Sequence, residues 1–337
     1  MVEMIEILKI IETLSDFKSP SGFERGLAQK ITEAAAGFAD EVYTDTLGNL
    51  IVRKKGRGKR LMLSAHMDTA GFLATHIDDY GFVRFGLLGD IGLDAMQNAN
   101  VVFINDVRGV VSCDEKVEKK DRNPEIFYID IGAYDKEHAL NMIKPGDAAV
   151  FDGKLRVLNE NRICAPYLEN RIGCALLLYT LRNIGKYNYD LYFVFTVLDE
   201  TGLRGSKTAA YSVKPDFALS IGVTLAGDTP GHKSAVDMKL GKGCAIKVMD
   251  KSIVAHPDIV KALTSTAEEN SIAYQSDIVT SYGTPAGAIH LARGGIKTGG
   301  IGVPIRYRHT PCEIADLRDF ADAARLISLA TEQAAFI

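Results

Sequence analysis

His66 and Asp68, two residues apart in Ser64-Ala65-His66-Met67-Asp68, put an imidazole and a carboxylate at the end of an apolar run that begins at Leu61. Alternate residues of an extended segment share a face. An imidazole there can hold a metal ion while the carboxylate takes the proton on its other ring nitrogen. A His-x-Asp pair alone is weak evidence; it gains weight only if further ligands arrive from elsewhere. Glu169 in YLENRIG, the adjacent Asp199-Glu200 and His309 in RYRHTP are the candidates.

Each also has a bland explanation. An acid at a helix start complements the helix dipole, and adjacent acids after a strand are often only loop. The turn that follows argues for more, since Gly202 and Gly205 lie within four residues and imply special backbone angles. As neighbours, Asp199 and Glu200 point to different sides of the chain. That suits one metal ligand and one base, and suits poorly two acids flanking a single glycosidic bond. His76, His138, His232, His256 and His290 are read as surface or loop histidines.

The elements that must position these groups follow from hydrophobic periodicity. Helical spacing predicts an amphipathic helix over residues 3–16 and a second, capped by Ser21, running to about Phe38. Residues 41–52 alternate toward strand around the turn Leu47-Gly48-Asn49, and Leu61–Ala65 read as a buried strand. Between Phe72 and about Ile163 short apolar bursts, separated by Gly, Asp and Asn, predict a small β barrel or sandwich, with one or two helical turns at 135–142 and an exposed charged loop at 114–122. A nearly all-apolar helix is expected from Arg171, with Glu169 just before it. LYFVFTV (191–197) and FALSIGV (217–223) read as parallel strands covered on both faces. A helix over 257–271, a strand near 301–307 and a closing helix over 317–335 complete the pattern.

The fold class is therefore α/β, a mixed sheet flanked by helices, with an inserted small β-barrel domain. Residues 1–71 and 164–337 form one discontinuous domain and 72–163 the insertion. Sites in such sheets form at the carboxyl ends of strands. His66 and Asp68, Asp199 and Glu200, Gly222, and His309 follow four different strands.

Bulk properties narrow the function. Of 337 residues, 47% are hydrophobic and 24% charged, as in ordinary soluble proteins, and a net charge of −4 gives no reason to expect nucleic acid or an anionic membrane. No segment has the roughly 18 uninterrupted apolar residues needed to cross a bilayer. The N-terminal MVEMIEILKIIETL, with acids inside its apolar pattern, predicts a helix and not a leader. Five cysteines without CxxC spacing suit a reducing, cytoplasmic compartment.

HMD near residue 66, an acid-Asn-Arg-x-Gly helix start, an acid-Glu-x-Gly-x-Arg-Gly turn and a RY-x-H-[ST]-P end together resemble the tetrahedral aminopeptidases, the glutamyl/leucyl-aminopeptidase family of co-catalytic metallopeptidases. Flanking text agrees, among it SPSGFE, DTLGNLI, YIDIGA, KPGD and VTLAGDTPG. The resemblance implies a zinc-peptidase-like catalytic domain, divalent metal (zinc or cobalt), and removal of N-terminal residues from peptide substrates. It also implies a cytoplasmic homo-oligomer, a tetrahedral dodecamer. Carried onto this chain, His66 would hold the first ion, Glu169 would bridge, and Glu200 and His309 would hold the second. Asp68 would stand behind His66, with Asp199 as general base on a metal-bound water.

Four positions depart from the family pattern. The family's bridging acid is Asp, here Glu169; its base is Glu, here Asp199. An acid expected on the third strand falls on Gly222, and a Gly-Thr-Asp triplet is Gly283-Thr284-Pro285. Each methylene displaces a carboxylate by up to about 1.5 Å, and a misplacement near 1 Å can cost on the order of a hundredfold in rate. Catalytic zinc usually keeps three protein ligands. Glu169, Glu200 and His309 supply three, whereas the first site retains only His66 and Glu169, with Asp228 as a remote substitute. The expectation is one ion rather than two. The alternative is a degenerate paralogue acting as a non-catalytic shell subunit or binding protein.

Overall fold

A computed structural model describes residues 2–114, 116–231 and 238–336. His232 lies outside the described residues. Among them, a twelve-stranded mixed sheet and a closed six-stranded barrel carry the β structure.

The apolar runs become the centre of the sheet. Asp190–Thr196, Arg60–His66, Phe217–Leu225 and Lys297–Arg306 lie side by side and parallel. Every residue of Asp190–Thr196 is buried, as a strand covered on both faces requires. Parallel pairing sends all four carboxyl ends to one edge, and the register sets Thr196 opposite His66 and Gly222 opposite Gly302. Helices cover the faces. Val2–Ser15, Leu168–Asn183 and Leu317–Glu332 pack around Leu63, Phe193, Ile301 and their neighbours in one core.

The barrel closes through Gly71–Ile77, Val83–Leu88, Phe127–Asp130, Arg108–Cys113, Asn100–Phe103 and Ala148–Phe151. Its interior is aromatic, with Phe72 edge-on to Phe85 at 5.0 Å and to Phe151 at 5.4 Å. No helix among the described residues is long and apolar enough to cross a membrane.

Three expectations are corrected. The helix expected from Arg171 begins at Leu168, which places Glu169 inside its first turn. Ser21 caps nothing: the second helix starts at Arg25 behind Glu24, without a side-chain cap bond, and the Ser21 hydroxyl donates to the Asp68 carboxylate. The strands Cys244–Asp250 and Tyr274–Ile278 and the helix Arg204–Val213 fall where no element was predicted. Both strands mix polar residues with apolar ones, so neither shows a clean period.

Candidate active site

The strand Arg60–His66 ends with its imidazole facing the sheet edge, and the chain turns there under tight control. Arg171, fully buried, donates to the carbonyls of Leu14 (2.9 Å), Phe17 (2.7 Å) and Met67 (3.0 Å) and to Ser19 Oγ (2.9 Å). One guanidinium thereby ties the N-terminal helix, the loop after it and the His66 strand to the helix that carries Glu169.

Asp68 has a second part besides the one its spacing suggests. Its backbone carbonyl, 3.0 Å from His66 Nδ1, is the nearer partner of the ring; the carboxylate Oδ1 is 3.6 Å away. The carboxylate also accepts the backbone N–H groups of Asp199 (3.0 Å) and Glu200 (2.9 Å). It therefore splints the Asp199 loop to the His66 strand. Leu198 and Leu203, on either side of that loop, hold φ of 56° each, and Gly202 holds 118°. Gly205 serves another need: it has no positive φ, but a Cβ there would meet Asn49 Oδ1 and the Val197 carbonyl at 2.3 Å.

Two further residues support the opposite wall. The buried Glu313 carboxylate accepts the backbone N–H groups of Glu169 (2.8 Å) and His309 (2.6 Å), joining the helix start to the His309 loop. His309 Nδ1 donates to the Asp90 carbonyl at 2.5 Å, which turns Nε2 toward Glu169 and Glu200. Tyr307 and His309 both hold φ of 60°, left-handed backbone kept only where surroundings enforce it. Glu313 and Asp90 were not singled out from sequence, and Arg171 entered only as the Arg of the acid-Asn-Arg-x-Gly helix start. An acid four residues after His309 was the one available signal for Glu313.

These supports bring His66, Glu169, Glu200 and His309 together. Glu169 Oε2 stands 3.5 Å from His66 Nε2 and 3.8 Å from His309 Nε2, and His309 Nε2 stands 3.1 Å from Glu200 Oε1. Ligand atoms of His66, Glu169 and Glu200 all lie within 4.8 Å of one another. Around a tetrahedral ion with bonds of about 2.1 Å, donor pairs sit about 3.4 Å apart. Glu169 Oε2, His309 Nε2 and Asp199 Oδ1 are buried without a hydrogen-bond partner. Such orphans are costly unless something answers them. Mixed nitrogen and oxygen donors, orphaned and crowded, fit a divalent cation.

The electrostatics agree. Burial works against charge on His66, yet the Glu169 and Asp199 carboxylates hold its pKa well above the ordinary value. At His309 burial again opposes, and the Glu169 and Glu200 contacts still push it up to about 11. Burial first, and then the carboxylates of Asp68, Glu200 and Glu169, push Asp199 up to about 8 against the pull of His66. The surrounding carboxylates thus draw both imidazoles toward their cationic form.

A cavity of about 220 Å³ opens over the cluster, lined by His66, Glu169, Asp199, Glu200 and His309 on one side and by Gly222, Lys247, Tyr282 and Arg308 among others. Gly222 leaves real space, since a Cβ there would meet nothing within 4 Å. Asp228 cannot fill it from where it stands. Its carboxylate is held by Arg306 Nε and Nη2, both at 2.7 Å, and by the Leu240 N–H at 3.1 Å.

Comparison with known proteins places this geometry. A protein of Acetivibrio thermocellus, whose aminopeptidase assignment is itself provisional, is 41% identical over 97% of this chain and 98% of its own. An aminopeptidase from the archaeon Desulfurococcus kamchatkensis superimposes with a TM-score of 0.94 at 34% identity, covering 98% of this chain and 95% of that one. The TET1 peptidase of Pyrococcus horikoshii, which can assemble into a tetrahedron or a large octahedral shell, gives a TM-score of 0.86 at 32% identity, covering 97% and 99%. Residues 48–326 match the M42 glutamyl aminopeptidase family, and the chain belongs to it.

Proposed function

We propose that this aminopeptidase removes N-terminal residues from peptides with one divalent ion, zinc or cobalt, held by Glu169, Glu200 and His309 with His66 alongside. Residues 1–71 and 164–337 act as the catalytic domain and 72–163 as the insertion. The observation that carries the reading is the convergence of His66, Glu200 and His309 on Glu169, whose Oε2 is orphaned. Such an ion polarises a carbonyl and lowers the pKa of water.

The chain's own groups do the rest. Asp199, with an unpartnered Oδ1 at the cavity wall, takes a proton from the attacking water and passes it to the departing amine. Asp68 fixes that carboxylate in place through the backbone of its loop. The Asp90 carbonyl and Glu313 hold the His309 ring and its backbone. The five cysteines are free thiols, which suits action in the cytoplasm. Kinship with a shell-forming peptidase supports assembly into a tetrahedral dodecamer.

Gly222 favours a second reading, a non-catalytic shell subunit or binding protein, because it leaves one side of the centre short of a carboxylate. Purified protein loaded with zinc, cobalt or manganese should release free amino acids from a panel of aminoacyl substrates, and Asp199→Ala should abolish the release. No release from any substrate with metal bound would leave the second reading standing.

A further inference from the structure

The two carboxylate oxygens of Glu169 face different partners. Oε2 faces both imidazoles, at 3.5 Å from His66 and 3.8 Å from His309. Oε1 faces a guanidinium, at 4.0 Å from Arg308 Nη1. A carboxylate bridging two ions gives one oxygen to each. Here one oxygen addresses both histidines and the other addresses an arginine.

Arg308 is well held there. Its guanidinium lies 4.3 Å over the Tyr282 ring, a stacked cation–π contact. Tyr282 is itself pinned, its hydroxyl receiving the Leu225 N–H at 3.2 Å and meeting Thr224 Oγ1 at 3.1 Å. Leu225 and Thr224 belong to the strand that carries Gly222. The cation and Gly222 therefore line the same cavity, where the strand supplies no carboxylate. Arg308 also occupies the unspecified position of the RY-x-H-[ST]-P pattern, so the pattern does not demand a charge there.

We propose that Arg308 takes over the charge of a second cation: the centre holds one divalent ion, and the guanidinium on the outer oxygen of Glu169 keeps a second ion out. A fixed positive charge facing the carboxylate oxygen that a second dication would need strongly disfavours that dication. Arginine is suited to the role because it is always charged and stacks on aromatic faces. Arg308 is a positioning residue in this account, since it acts through Glu169. The inference rests on the metal-dependent reading above and adds the reason for a single ion.

Ion counting tests it. Full-length protein and variants are equilibrated with zinc, freed of excess, and the ions per chain are counted by mass spectrometry. Wild type, Gly222→Asp and Arg308→Met should each hold one ion, and Gly222→Asp/Arg308→Met should hold two. Its second zinc should bind at least about a hundredfold more tightly than any second zinc in Gly222→Asp alone. Because exposed thiols of damaged protein also bind zinc, ions are counted only on variants whose circular dichroism and melting match wild type. Should the double variant fail to fold, Gly222→Asp/Arg308→Gln carries the same expectation. Two ions in wild type or in Gly222→Asp, or one in the folded double variant, overturns the inference. One ion without amino-acid release would spare it and sink the peptidase reading. Two ions with brisk release would do the reverse.

Discussion

The two sides of Glu169 are built differently. On one side His309 and Glu200 stand 3.1 Å apart, the His309 ring is aimed by the Asp90 carbonyl, and Glu313 holds its backbone. On the other side His66 is aimed by the Asp68 carbonyl, but the neighbouring strand offers Gly222 and the space beside it is open. The strand pairing is regular on both sides, with Gly222 in register opposite Gly302. The sheet is thus regular at a position where no side chain projects. What the difference teaches is that frame and ligand set are separable: backbone pairing fixes where a side chain would project, and nothing in that pairing requires a carboxylate to project there.

The comparison makes the two histidines unequal, and this is the largest effect to look for. His309→Ala should strip the ion and reduce amino-acid release to background, as a chelator should. His66→Ala should keep the ion, with affinity weaker by about 10–100-fold. Equal loss in both variants, read by titration with a chromophoric competitor, would erase the asymmetry. Next in size is Asp199→Asn, which should lower kcat by about 10²–10⁴-fold with ions per chain unchanged. A fall in metal content would make Asp199 a ligand instead.

The strand ends were legible because continuous apolar runs such as Leu191–Val197 mark buried parallel strands, and parallel strands deliver their ends to one edge. The supporting groups were not. Asp90 acts through a backbone carbonyl, which every residue has, and Glu313 acts through backbone N–H groups 144 and 4 residues away in the chain. Arg308 was hidden for the opposite reason, sitting where the motif accepts any residue. Ser21 was misread because a serine before a helical period is usually a cap. Here Glu24 takes the turn, its carboxylate accepting the N–H groups of Gly22 (2.9 Å) and Leu198 (3.0 Å), and leaves Ser21 to Asp68.

Glu313→Gln sharpens the picture on the His309 side. The amide keeps the shape but replaces one accepting oxygen with a donor that faces a backbone N–H. Metal affinity should fall by about 10–100-fold, with a smaller fall for His66-side measures. If affinity is untouched, the His309 loop is held by its own backbone and Glu313 is incidental.

The smallest effect concerns Asp228, read from sequence as a remote substitute on the Gly222 side. Burial works against the Asp228 carboxylate, but the Arg306 guanidinium outweighs it and holds the carboxyl below the ordinary aspartate value. A carboxyl depressed on folding stabilises the native state fully above its unfolded pKa, about 3.9. That contribution is lost as pH falls through the folded value. Asp228→Asn should therefore lower the melting temperature by about 1–2 °C at pH 7. The gap to wild type should persist at pH 5 and close below about pH 4. Metal content should not change, because Asp228 is committed to Arg306 and not to the ion. A variant that melts like wild type but binds zinc more weakly would show the reverse commitment, and the His66 side would then have its carboxylate after all.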